Sequence, residues 1–158
     1  EEKTNVMRVL EQKKIAYTAH TYPHEEGMAV DGVTVAKSMG FDPAIVFKTL
    51  VARGASKQYY VFDVPVAENL DLKKAAKAVG EKSIEMIHQK ELLPLTGYVH
   101  GGCSPVGMKK LFPTVFHETA ENLETMIVSA GKIGYQVELA PRDLAALVRA
   151  KFADIIVE

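Results

Sequence analysis

An α+β fold around a mixed, largely antiparallel β-sheet is what the sequence predicts. Three observations carry that expectation. Short segments rich in Val, Phe, Tyr and Ile recur between turn residues, and amphipathic stretches of helical period lie among them. The two kinds do not alternate in the regular strand–helix order of a parallel α/β sheet. Roughly six to eight short strands and about five helices result, in one domain covering residues 1–158.

From the N-terminus, residues 3 to 14 place Val6, Val9 and Leu10 at helical spacing among polar residues, with Thr4 or Asn5 as the cap. Residues 15–21 alternate enough for a short strand, and residues 20–27 form a polar loop with a proline and a glycine. Asp31 can cap a helix over Val33, Val35, Ala36 and Met39 that Gly40 ends, and Asp42-Pro43 opens one further turn. Residues 47–52 and 58–66 read as strands joined through Gly54-Ala55-Ser56, a β-hairpin. Asn69-Leu70-Asp71 introduces a helix from Lys73 to Val79, stopped by Gly80. A short strand over 83–88 follows, then a helical turn over 89–93 broken at Pro94-Leu95, then a strand over 97–100. A glycine-rich loop spans 101–110. Strands are expected at 113–118, 125–129 and 135–139, the last two separated by a second glycine-punctuated turn. Pro141-Arg142-Asp143 starts a final helix with Leu144, Leu147 and Val148 on one face.

Bulk properties narrow the function classes. A composition of 47% hydrophobic and 25% charged residues is that of a soluble globular protein, and no apolar run approaches the roughly 20 residues of a membrane helix. The single cysteine, Cys103, rules out an internal disulfide framework; with no apolar leader at the start, it fits a reducing cytoplasm. A net charge of −1 argues against a broad, non-specific DNA- or RNA-binding surface, while leaving a local basic patch open.

The stretch with the most chemical content is Gly101-Gly102-Cys103-Ser104-Pro105-Val106-Gly107. Three glycines and a proline cannot continue a helix or a central strand. They can let a ligand approach main-chain N–H groups closely, a cradle for an oxyanion, carboxylate or phosphate, or they can serve turn geometry alone. It is not a Walker loop, because Met108 stands where the lysine should follow, and the spacing does not fit a dinucleotide-binding fingerprint. Cys103 with His100 as base is a conceivable nucleophile, against which adjacent strand-end residues would point apart. Lys48, between Phe47 and Leu50, is either an outward residue of an alternating strand or a cation aimed into a cleft beside a negative ligand. Ser129 is either a turn-stabilising hydroxyl or a nucleophile, and no G-x-S-x-G elbow surrounds it. The histidines and glutamates of 20–26 are too loosely spaced for a metal site, and neither a metal nor a cofactor is expected.

Several motifs occur together, in order and in register. They are Phe47-Lys48-Thr49-Leu50, the Leu70–Lys77 run, Thr96-Gly97-Tyr98 with the G-G-x-x-P-x-G loop, and Ser129-Ala130-Gly131-Lys132 with Val137-Glu138-Leu139. In these the chain resembles the YbaK/EbsC proteins of the bacterial prolyl-tRNA-synthetase editing-domain superfamily, from His20 to Ile155. The resemblance implies a partial barrel flanked by helices and a free-standing trans-editing hydrolase. Its substrate would be cysteine wrongly attached to tRNA(Pro), met at the acceptor end, with prolyl-tRNA synthetase as a possible partner. It puts Lys48, Gly101 and Gly102 at the catalytic centre, and Tyr22, Thr49, Pro105, Gly107, Ser129 and Gln136 around the substrate. Where YbaK relatives can have an acid this chain has Gln136, so no carboxylate role carries over there. In the cysteine-specific branch the substrate's own thiol attacks its ester, which explains how a triad can be lacking. Two alternatives share the fold: editing of Ala-tRNA(Pro) or another small aminoacyl-tRNA, and a non-catalytic module binding an aminoacyl group or carboxylate.

Overall fold

The computed structural model describes residues 2–158. It is an α+β domain with two sheets. The larger has the strand order β4 (Ile84–Met86), β2 (Phe47–Gly54), β3 (Tyr59–Pro65), β5 (Thr114–His117) and β8 (Ala150–Ala153). Its first two pairings are antiparallel, and the two involving β5 are parallel. The smaller sheet is fully antiparallel: β1 (Thr18–Thr21), β7 (Tyr135–Leu139) and β6 (Met126–Ser129). A bridge between Val46 and Ile127 joins the sheets at the start of β2, giving the partly closed barrel.

Helix starts follow local chemistry. Thr4 caps α1 (Asn5–Gln12), Asp31 caps α2 (Gly32–Ser38) and Asp71 caps α3 (Leu72–Val79), each side-chain oxygen accepting a first-turn N–H. Asp42 does the same for the short 3-10 turn Pro43–Ile45, and Gly80 ends α3 in the left-handed conformation. Helix α5 (Pro141–Val148) begins on its proline as expected.

The main core lies between the two sheets and includes α1 and α5, through Val6, Leu10, Phe47, Val51, Val61, Phe116, Val128 and Leu144. Helix α3 covers the other face of the large sheet, packing Ala75 and Ala76 on Ala52, Phe62 and Val115. Burial on both faces explains why β3 reads as a nearly continuous apolar run. Among the described residues no helix is long and apolar enough to cross a membrane.

Two expectations are corrected. The helical turn after β4 does not break at Pro94 but runs on as α4 (Gln89–Thr96) to a left-handed cap at Gly97. Proline removes a single N–H there, and the helix ends two residues later. Residues 97–100 form no strand. Instead the Tyr98 N–H donates to Thr96 Oγ1 at 3.0 Å, and its hydroxyl reaches across the glycine loop to the Val106 carbonyl. Tyr98 thus turns inward as a buried strut of that loop.

Candidate active site

A cavity of about 520 Å3 opens where the two sheets separate. The start of β2, the loop before α2, helix α4, the glycine loop and the facing ends of β6 and β7 wall it in. Of the residues expected at the site, Tyr22, Lys48, Thr49, Gly101, Ser129 and Gln136 line it; Gly102, Pro105 and Gly107 do not.

Lys48 and Thr49 are consecutive, so an extended strand turns them to opposite faces. Phe47 and Val51, which share a face with Thr49, lie in the core between the sheets, whereas Leu50 and Ala52, sharing a face with Lys48, lie toward α3. Both residues nevertheless reach the cavity, because it wraps around the first residues of β2. Lys48 is therefore the cleft cation of the two sequence-level alternatives. It has no ion pair among the described residues; burial pulls its amine down in pKa, and the nearby charges of Asp31 and Glu68 only partly offset this. An unpaired ammonium group at a cavity wall is poised to hold an anion.

The glycine loop divides its labour. Gly101, at φ +89, lines the cavity, and its N–H has no partner among the described residues. The Gly102 N–H donates to the Val99 carbonyl at 3.0 Å, which removes it from the free donors. A Cβ at Gly102 would stand 3.1 Å from the Ile133 nitrogen, so this glycine seats the loop on the neighbouring 129–134 turn. At Gly107 a Cβ would stand 2.8 Å from the Tyr98 hydroxyl, and at Gly131 3.0 Å from the Tyr98 ring. The two glycine turns are locked together around that tyrosine. Pro105 is buried in the same loop.

Ser129 Oγ accepts the Gly131 N–H at 3.1 Å, the turn-stabilising role, while also bordering the cavity. Gln136 is 7% exposed and its amide oxygen has no hydrogen-bond partner among the described residues. A buried acceptor without a partner costs roughly 1–3 kcal/mol, so at a cavity wall it is suited to receive a donor from a ligand.

The profile of the aminoacyl-tRNA editing domain matches residues 24–147. The chain belongs to this family. It is 45% identical over 155 residues to an Enterococcus faecalis protein described as a candidate Cys-tRNA(Pro)/Cys-tRNA(Cys) deacylase, EbsC, covering 98% of this chain and 94% of that one. It shares its fold with a crystal structure described as a candidate trans-editing enzyme for prolyl-tRNA synthetase, at TM-score 0.82, 24% identity and full coverage of both chains. A hypothetical protein of known structure superposes at TM-score 0.84 and 18% identity, over 96% of this chain and 99% of the other.

Within this editing domain Cys103 also borders the cavity, but it is not a nucleophile in waiting. Burial, with a contribution from the Asp63 charge, pushes its thiol up to about 12, so the thiolate is scarce at neutral pH. Cys103→Ser is expected to keep kcat/KM within about threefold of wild type, since it removes no reacting group. A folded but inactive variant, measured by single-turnover deacylation, would reinstate a cysteine nucleophile. Asp63 is the residue that sequence reasoning missed. Its signal was a single acid inside the apolar run Tyr59–Pro65.

Proposed function

We propose that this editing domain is a trans-editing deacylase that hydrolyses the ester of cysteine mischarged on tRNA(Pro), with prolyl-tRNA synthetase as the enzyme whose errors it corrects. The observation that carries the reading is the content of the cavity: a free ammonium group, a free main-chain amide at Gly101, an unpaired buried amide oxygen, and a thiol held protonated. Such a set stabilises charge but supplies no nucleophile–base pair.

An aminoacyl ester is already activated, and a cysteinyl ester brings its own nucleophile. Its thiol sulfur attacks the ester carbon and gives up its proton. The carbonyl oxygen becomes an oxyanion facing the Gly101 N–H, the carbon–oxygen bond to the ribose breaks, and the ribose oxygen leaves with the proton that the thiol gave up. Water then opens the strained thiolactone. One preorganised N–H donor to the oxyanion is typically worth about 2.7–4 kcal/mol. Lys48 holds a phosphate or carboxylate near the terminal adenosine as a point charge.

The test is a deacylation panel with tRNA(Pro) charged with cysteine, alanine, serine or proline. Cysteine is expected to be released at least about 100-fold faster than serine, because the oxygen analogue is a far weaker nucleophile at neutral pH. Equal rates on serine would remove thiol assistance. Preferred cleavage of alanine would reassign the substrate and require an activated water. Binding without hydrolysis of any ester would leave a recognition module.

A further inference from the structure

Beneath the cavity floor lies a buried acid with no task in the mechanism above. Asp63 is fully buried in the middle of the large sheet, directly across the β2–β3 ladder from Thr49. The Thr49 hydroxyl donates to its Oδ1 at 2.5 Å. Its other oxygen, Oδ2, has no partner among the described residues. Structural economy would replace such a group: a buried carboxyl with one orphaned oxygen is destabilising, and an apolar residue would pack there without that penalty.

What the arrangement does achieve is a direction. A hydroxyl has one proton and can act as donor or acceptor. Thr49 lines the cavity, and a carboxylate behind it claims that proton, leaving only oxygen lone pairs toward the ligand. With the carboxyl protonated, the acid can donate instead and Thr49 is freed to present its proton to the cavity. The acid therefore sets the polarity of the wall.

We propose that Asp63 is a positioning residue: by taking the Thr49 proton it fixes that hydroxyl as an acceptor at the cavity wall for the α-amino group of the aminoacyl ester. The α-amino group is the donor common to every aminoacyl ester, so this contact serves recognition of the class, whichever side chain is selected. The inference rests on the deacylase reading.

The surroundings isolate the titration. Burial is the main influence on Asp63 and raises it to about 7, with the Thr49 hydrogen bond pulling the other way. From the glycine loop the facing titratable group is Cys103, which stays a thiol in this range. β2 contributes Thr49, and the ladder partner on β5 is Phe116, which does not titrate. Lys48, next to Thr49 on the same strand, faces the opposite side of the sheet.

The test is a double-mutant cycle on the cysteinyl-tRNA deacylation rate, using Thr49→Val, Asp63→Asn and the combination, with Thr49→Ser as the conservative rescue. Each single change is expected to lower kcat/KM about tenfold at pH 8, and the double no further than Thr49→Val alone; Thr49→Ser stays within about threefold. The ratio of wild type to Asp63→Asn should grow from about 1 at pH 5.5 to about 10 at pH 8, because only the carboxylate orients Thr49. Titration of the substrate's own amine and thiol cancels in that ratio. Additive losses, or a ratio flat with pH, overturn the inference.

Thermal melting keeps the test independent of misfolding. The folded chain holds the Asp63 proton to about pH 7, while the unfolded chain releases it near 3.8, so stability falls as pH rises through that window. Asp63→Asn should abolish that fall and melt no lower than wild type at pH 8 while deacylating more slowly. A wild-type protein that cleaves none of the esters fails the deacylase reading first, and takes the inference with it; an active wild type with an additive cycle fails the inference alone.

Discussion

Replacing Lys48 by methionine is expected to lower deacylation kcat/KM by at least about 100-fold while leaving the melting temperature equal or higher. Methionine keeps the aliphatic stem that packs along the cavity wall and removes only the charge. In the fold that charge is a burden: burial depresses the amine, and among the described residues no carboxylate pairs with it, Asp31 and Glu68 acting only at a distance. Asp31 is held in place as the cap of α2, its Oδ2 accepting from the Thr34 N–H and hydroxyl at 3.1 Å each, and in that position it forms no ion pair with Lys48. An unpaired, partly desolvated cation gains its counter-charge when an anionic ligand arrives. A hundredfold loss corresponds to about 2.7 kcal/mol, within the range for one charge-assisted contact. Lys48→Arg should not restore full rate, because a planar fork presents its donors differently from a compact ammonium. Turnover close to wild type in Lys48→Met would remove this residue from the site.

Gly101→Val is expected to abolish measurable deacylation, with a smaller but clear loss in Gly101→Ala. Two effects add at this position. The backbone sits at φ +89, where a side chain costs on the order of 1–3 kcal/mol. In addition, the first carbon of any side chain would meet Ala29 Cβ at 2.7 Å and its backbone at 3.2 Å. Ala29 belongs to the cavity wall, so relief of that contact moves the wall and the Gly101 amide together. Gly40 supplies the control. It has φ +76 and open space around it, so Gly40→Ala carries backbone strain alone. Both alanine variants should melt lower than wild type, and only the one at position 101 should lose turnover per folded molecule, measured by single-turnover deacylation alongside circular dichroism. Equal activity of the two would mean that Gly101 serves turn geometry and nothing more.

The contrast between neighbouring glycines shows where motif reading stops. Gly101 and Gly102 are equivalent as letters, and both are suited to a backbone cradle. In the fold one amide is unpaired at the cavity and the other is bonded to Val99, a difference of a single peptide plane. The same holds for Gly107, whose positive φ and lack of a side chain make room for Tyr98 and not for a ligand. Tyr98 falls in the segment 97–100 that the sequence predicts as a strand. A left-handed Gly97 cap and the side-chain oxygen of Thr96 capture it before any ladder can form.

Much of the architecture is local and was legible without coordinates. Asp31, Asp42, Asp71 and Thr4 start helical segments by bonding amides two or three residues away, and Gly80 stops a helix by its own backbone freedom. The hairpin of β2 and β3 is set by a turn between adjacent apolar runs. Family motifs in register extended this beyond local structure, since the family model matches residues 24–147, which hold six of the eight strands.

The side of β2 on which a ligand can sit belongs to the tertiary structure alone. Lys48 as an outward residue and Lys48 as a cleft cation have identical local sequence; the distinction comes from the cavity that opens around the first residues of β2, next to the Val46–Ile127 bridge that joins the sheets. The partnership of Asp63 with Thr49 likewise exists only once two strands are in register. Short-range hydrogen bonds are written in neighbouring residues, whereas burial and the partner of a charge depend on segments far apart in the chain, so the sequence determined the elements and their family while packing decided which atoms remain free to act.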